Sequence, residues 1–297
     1  MTEIRKKLIE HPYITVGILL FLYTGALLVP NNFTKSYYIR FGVDYFYVIF
    51  FYVILPFIFL ILLWNLIIPY GLFLEDEERW ELQTLKDYNK MIRLSSTEHL
   101  GRNLSLMILC VCIYYSINFI GVLFLGNFSW NFSVLFGNFD LQTGLGWFNF
   151  IVQLRAPVWE EIAFRGVILA IFLKSFSKKK AILLDGVIFG LFHFINFLLS
   201  GAEIWSSLLY TLGQMGFASM VGVFLAYVLT KTESLLPCIV MHYLINIVTL
   251  IFNVSFANEF LYVIYSVVFV GILPWIINFF IVKYVFDYLD QKETRNN

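Results

Sequence analysis

Charge is scarce in this chain. Only 13% of its 297 residues are Asp, Glu, Lys or Arg, about half the share of a soluble domain. Mean hydropathy is +0.79, so an ordinary soluble domain is excluded and an all-α, polytopic membrane protein remains. Neither sign of charge is in excess, since 20 basic and 20 acidic residues cancel; bulk charge gives no reason to expect a nucleic-acid partner. Cysteine is scarce too. Cys110, Cys112 and Cys238 all lie in apolar segments, which excludes a disulfide framework and a cysteine-based zinc site and leaves small buried hydrophobes. The H-E-x-x-H zinc-protease pattern is missing. Internal repeats, a soluble domain and a low-complexity tail are missing as well, so residues 1–297 read as one membrane domain.

What is present is apolar length. A crossing takes roughly 20 apolar residues, and eight runs approach that, at about 14–29, 45–72, 104–125, 147–173, 181–199, 204–229, 235–252 and 260–284. Pro56 predicts a kink in the second. Arg5, Lys6 and Lys7 precede the first run. No A-x-A-like site follows it and Pro30-Asn31-Asn32 reads as a turn, so a retained first helix is expected. With eight crossings, Arg5, Lys6, Lys7, Arg79, Lys86, Lys90, Arg93, Arg102, the lysines of 174–180, Lys231, Lys283, Lys292 and Arg295 share one side. Lys35 and Arg40 hold the other. The positive-inside rule then puts both termini in the cytoplasm of a multi-pass cell-membrane protein. Between the second and third runs, Leu74, Trp80, Leu82, Leu85, Met91, Ile92 and Leu94 recur at roughly helical spacing among charges. That predicts an interfacial amphipathic helix within 74–102, with a solvated connector as the alternative. The aromatic, glycine-bearing stretch 127–146, whose one charge is Asp140, is expected to dip into the interface.

The fourth run carries Pro157-Val158-Trp159-Glu160-Glu161-Ile162-Ala163-Phe164-Arg165. Ionisable residues inside a membrane are costly and point to function. Glu161 and Arg165 are four apart, share a helix face and stand in the favourable order. Glu160 points about 100° away. The spacing therefore pairs Glu161 with Arg165 and assigns chemistry to Glu160. A purely structural ion pair would explain Glu161 and Arg165 but not Glu160. His193 follows on the fifth run, with Asn196 one turn later. On the seventh, His242 and Asn246 are four apart and share a face. At about 1.5 Å per residue, Glu160, His193 and Asn246 fall near mid-depth and His242 nearer the cytoplasmic side. Such groups face a bundle interior or a watery cavity, so convergence is expected. Taken singly, each could be no more than an interhelical hydrogen-bond partner. Gly213, Gly216, Ser219 and Gly222 give the sixth run a small-residue face suited to close packing.

In this order, the residues resemble the CAAX protease and bacteriocin-processing (CPBP) family of intramembrane endopeptidases, which includes the CAAX prenyl endopeptidases. Glu160, Glu161 and Arg165 match its EExxxR motif, Phe189 and His193 its FxxxH, and His242 and Asn246 its HxxxN. The resemblance covers about 155–248, the expected catalytic core. It implies that Glu160 and His193 bind and activate water, that His242 and Asn246 donate to the oxyanion, and that Arg165 holds Glu161 so that the pair orients Glu160. No serine or cysteine is placed as a nucleophile, which favours direct attack by water. Glu160, His193 and His242 could also furnish a two-histidine, one-carboxylate zinc set; the reading leans to no metal. The implied partners are a lipidated or membrane-associated peptide and the bilayer. Two rivals stand beside this. One is a non-proteolytic scaffold or bacteriocin-immunity protein of the same fold, disfavoured because every motif position is kept. The other is a proton-coupled transporter, weakened by the missing inverted repeat.

Overall fold

The computed structural model describes residues 8, 10–41, 50, 54–74, 82, 84–138, 146–200 and 204–296. Their elements, in chain order, are α1 (Pro12–Phe41), α2 (Leu55–Phe73), α3 (Leu85–Met91), α4 (Leu100–Leu125), β1 (Gly126–Trp130), α5 (Ser133–Phe136) and α6 (Asn149–Glu161). A π-helical segment, Ile162–Ile168, joins α6 to α7 (Leu169–Ser175). Then come α8 (Lys178–Phe192), α9 (Ile195–Ser200), α10 (Ile204–Thr232), α11 (Leu236–Ile251), β2 (Phe252–Phe256) and α12 (Glu259–Ile264). Another π-helical segment, Tyr265–Ile272, leads into α13 (Leu273–Asn296), and two more, Leu63–Ile67 and Pro69–Phe73, lie within α2.

Among the described residues, five helices are long and apolar enough to cross a membrane: Leu55–Phe73, Leu100–Leu125, Lys178–Phe197, Tyr210–Thr232 and Glu259–Lys292. The chain is a multi-pass membrane protein. Pro12–Ala26 and Leu236–Ile251 are apolar but shorter. The expected fourth crossing is helical, yet Arg155, Glu160, Glu161 and Arg165 interrupt its apolar run. The expectation of eight thus meets five that qualify by length and composition.

Two local expectations change. The backbone of α1 runs through Pro30-Asn31-Asn32 to Phe41, so the expected turn is helical. Pro30 costs the helix one backbone hydrogen bond, and helix continuation on both sides overrides that cost and the asparagines' turn propensity. In the 74–102 segment, Trp80 and its neighbours 75–81 lie outside the described residues. The described part holds the seven-residue α3, started by a capping box in which Asp87 N–H donates to Thr84 Oγ1 at 3.3 Å and Thr84 N–H to Asp87 Oδ2 at 3.0 Å. Leu74, Leu82, Tyr88 and Ile92 are buried in protein, whereas Leu85 and Leu94 are exposed. The Tyr88 ring packs 5.9 Å from that of Phe73, and burial pushes its phenol pKa up. Leu74, Leu82 and Ile92, three of the seven apolar positions of the expected amphipathic helix, are thus packed in protein.

Two compact units divide the chain: residues 1–95 with 132–175, and residues 96–131 with 176–297. The expected core, 155–248, is split between them.

Within the second unit, α8 and α10 meet through glycines. A Cβ on Gly190 would collide with Ser219 Oγ and come within 2.5 Å of the Met215 carbonyl. One on Gly222 would lie 2.7 Å from Gly186 Cα. Small residues buy this approach in a membrane, where packing drives association. Ser219 and Gly222 thus pack as expected. Gly213 and Gly216 do not: added Cβ atoms there would meet nothing within 4 Å.

The last helix is held by side chains that take up spare carbonyls. Pro274 has no N–H to give Val270, four residues back; the Trp275 indole donates to that carbonyl instead, at 3.0 Å. Buried Asn118 on α4 donates to the Phe269 carbonyl at 3.1 Å and accepts from the Tyr265 hydroxyl at 3.0 Å. Asn278 Nδ2 donates to the Cys110 carbonyl at 3.0 Å.

The 127–146 stretch contains a strand. β1 and β2 pair antiparallel from Gly126↔Phe256 to Trp130↔Phe252, and Asn131 N–H extends the ladder to the Ile251 carbonyl at 2.9 Å. Opposite residues share a face. Phe128, Trp130, Phe252, Val254 and Phe256 therefore make one apolar face, and Asn127, Ser129, Asn253 and Ser255 the other, polar one. The Phe128 ring packs 4.7 Å from Phe119 of α4. Asp140 lies outside the described residues.

Candidate active site

In the first unit, α6 delivers the two glutamates at its C-terminal end. Glu161 Oε2 lies 3.2 Å from Arg165 Nε, and both side chains are fully buried. The predicted i,i+4 pair is therefore formed. The helix widens into its π-helical segment directly after Glu161; such widenings often occur at functional sites. Every residue of that segment is buried. A Cβ on Gly166 would sit 3.2 Å from Ile92 Cβ. Trp159, just before the glutamates, packs edge-on to Phe57 with ring centroids 5.7 Å apart. Glu160 is half-buried. It is not electrostatically isolated: buried Tyr23 of α1 and half-buried Arg155 lie within range of its charge. Sequence reasoning gave neither a role. Arg155 was visible as a charge in an apolar run, whereas Tyr23 had no signal.

In the second unit, His193 terminates α8. Its N–H donates to the Gly190 carbonyl at 3.1 Å, an i→i−3 bond that tightens the last turn. The Phe189 carbonyl thereby loses its usual i+4 donor. The imidazole takes it, with Nδ1 2.9 Å from Phe189 oxygen. A carbonyl only accepts, so Nδ1 carries the proton and the Nε2 lone pair points elsewhere. Phe189, 2% exposed, stands edge-on to both histidines, its centroid 4.9 Å from His193 and 6.1 Å from His242. This ring brings the ends of the second and third motifs together. His242 is buried and Asn246, one turn further along α11, is half-buried. The Tyr115 hydroxyl of α4 donates to the Ile245 carbonyl at 2.7 Å, between those two positions.

Two residues were missed. Asp185 on α8 is fully buried, although a carboxylate after Ile182-Leu183-Leu184 was legible as an intramembrane charge. Gln214 of α10 bonds Asn196. Among the described residues, no three side chains of His, Cys, Asp or Glu gather as a metal-binding set, and Glu160 lies on a different unit from the two histidines.

Buried ionisable side chains therefore lie on α6, α8 and α11 of a chain rich in apolar helices. Residues 142–248 match the family model described as type II CAAX prenyl endopeptidase Rce1-like, and all seven motif residues fall inside the match. The match covers 107 of the 297 residues, so the likeness to that family belongs to this segment of the chain. No curated protein and no solved structure matches the chain.

Proposed function

We propose that the protein is an intramembrane endopeptidase that hydrolyses a peptide bond in a lipidated or membrane-associated peptide. The observation that carries this reading is the Rce1-like match over 142–248, which includes Glu160, Glu161, Arg165, His193, His242 and Asn246. The family's description makes a prenylated peptide the first substrate to test.

In this mechanism Glu160 is the general base. It takes a proton from water as the oxygen attacks the scissile carbonyl, and returns it to the leaving amine. His193 orients the water through the Nε2 lone pair that its Nδ1 bond to Phe189 leaves outward. His242 and Asn246 donate to the tetrahedral oxyanion, and each such donor is worth about 3 kcal/mol. Glu161, neutralised by Arg165, holds the glutamate turn in position. The chain crosses the membrane eight times with both termini cytoplasmic, supported by the one-sided distribution of lysine and arginine.

The test is cleavage of a farnesylated peptide with a C-terminal CAAX sequence by purified protein in detergent, read by mass spectrometry. Cleavage that Glu160→Gln abolishes is expected. Intact peptide after incubation with well-folded protein would overturn the reading in favour of the non-proteolytic scaffold.

A further inference from the structure

Tyr115 stands on α4, outside the family match, and takes no part in the proposed chemistry. Its hydroxyl nonetheless grips α11 at two points. It lies 2.7 Å from the Ile245 carbonyl oxygen and 2.7 Å from Thr249 Oγ1. A carbonyl only accepts, so the phenol proton goes to Ile245, and the Thr249 hydroxyl donates to the phenol oxygen. The tyrosine ring is itself fixed. Tyr114 stands edge-on to it with centroids 4.9 Å apart, and Phe252 of β2 does so at 6.2 Å. Tyr115, α11 and β2 all belong to the second compact unit.

Backbone satisfaction does not account for this grip. At Val270 a proline leaves the carbonyl without its usual donor. Ile245 lies inside α11, and Thr249, four residues on, has an N–H to give it. The tyrosine comes as a second donor to that oxygen. What the grip fixes is position. The Ile245 carbonyl and the Asn246 N–H belong to one planar peptide unit, so the tyrosine holds the peptide that carries Asn246. Thr249 is three residues beyond Asn246 and neighbours it on the helix surface. The held turn, 245–249, lies just before Phe252, where α11 gives way to β2, and helix ends fray.

We propose that Tyr115 is a positioning residue for Asn246. Its hydroxyl clamps the 245–249 turn, so that the carboxamide stands ready where the oxyanion forms. A preorganised donor of this kind acts in the transition state and not in substrate binding. A small displacement of it lowers kcat and leaves KM alone. The inference rests on the peptidase reading and on the part that reading gives Asn246. It adds that α4, outside 142–248, completes the site.

The experiment is steady-state cleavage of the farnesylated CAAX peptide by the full-length protein in detergent, read by mass spectrometry. Tyr115→Phe keeps the ring and removes the hydroxyl. It should lower kcat about tenfold at unchanged KM. Thr249→Val leaves the phenol's bond to Ile245 in place and should show a smaller loss with the same dependence on Asn246. Tyr265→Phe is the control for mere loosening. It removes another tyrosine hydroxyl bonded to α4, at 3.0 Å from Asn118 Oδ1, and should leave kcat unchanged. The deciding arm is Tyr115→Phe on an Asn246→Ala background, where loss of one oxyanion donor still leaves measurable turnover. A residue that acts through Asn246 costs nothing further there, whereas general loosening costs the same on both backgrounds. An unchanged kcat in Tyr115→Phe, or an equal loss on both backgrounds, overturns the clamp and spares the peptidase. Intact peptide after incubation with the unsubstituted protein sinks the peptidase reading, and the clamp with it.

Discussion

Glu160 and Glu161 are chemically identical neighbours with different surroundings. Glu161 is sealed against Arg165 at 3.2 Å; Glu160 is half-buried near Arg155 and Tyr23. Glu161→Gln should cost about 3–5 kcal/mol, because removal of one partner strands a buried charge, and thermal unfolding in detergent will show it. Glu160→Gln should leave the unfolding midpoint nearly unchanged and abolish cleavage, since glutamine accepts no proton. A stable, inactive Glu161→Gln protein would show the roles to be exchanged. The Glu161–Arg165 pairing was legible in the sequence because helical spacing alone dictates it. The tautomer of His193 was not, because it depends on how the last turn of α8 tightens. Nitrogen-15 chemical shifts of labelled His193 should report a protonated Nδ1; a protonated Nε2 in the neutral ring would contradict the Phe189 hydrogen bond.

At the scale of elements, glycines that look alike in the sequence part company. Gly190→Ala should destabilise by about 1–3 kcal/mol, the usual cost of overpacking, because Ser219 and the Met215 carbonyl occupy the methyl's place. Gly213→Ala should not lower stability, since nothing lies within 4 Å. Unfolding of the two variants side by side checks the contrast; equal losses would mean that α8 and α10 do not pack through Gly190. The apolar runs were legible as helices because hydrophobic length is a local property. The π-helical segment after Glu161 was not, for no residue in Ile162–Ile168 announces one. β1 and β2 did carry a signal. Asn127-Phe128-Ser129-Trp130 and Phe252-Asn253-Val254-Ser255-Phe256 alternate with period two, but two short segments so far apart become strands only once α4 and α11 bring their ends together.

Across the whole molecule, the lysines and arginines predict that reporter fusions after Lys180 and after Asn258 report opposite sides of the membrane. The same side for both would break the eight-crossing topology. An eight-crossing chain would have both strands of the small sheet on the side away from the termini, and the two faces of that sheet differ, one aromatic and the other polar. α11 hangs directly from β2, and Asn246 lies six residues before Phe252, about 9 Å down the helix. His242 and Asn246 are thus positioned by the length of α11 counted back from the sheet.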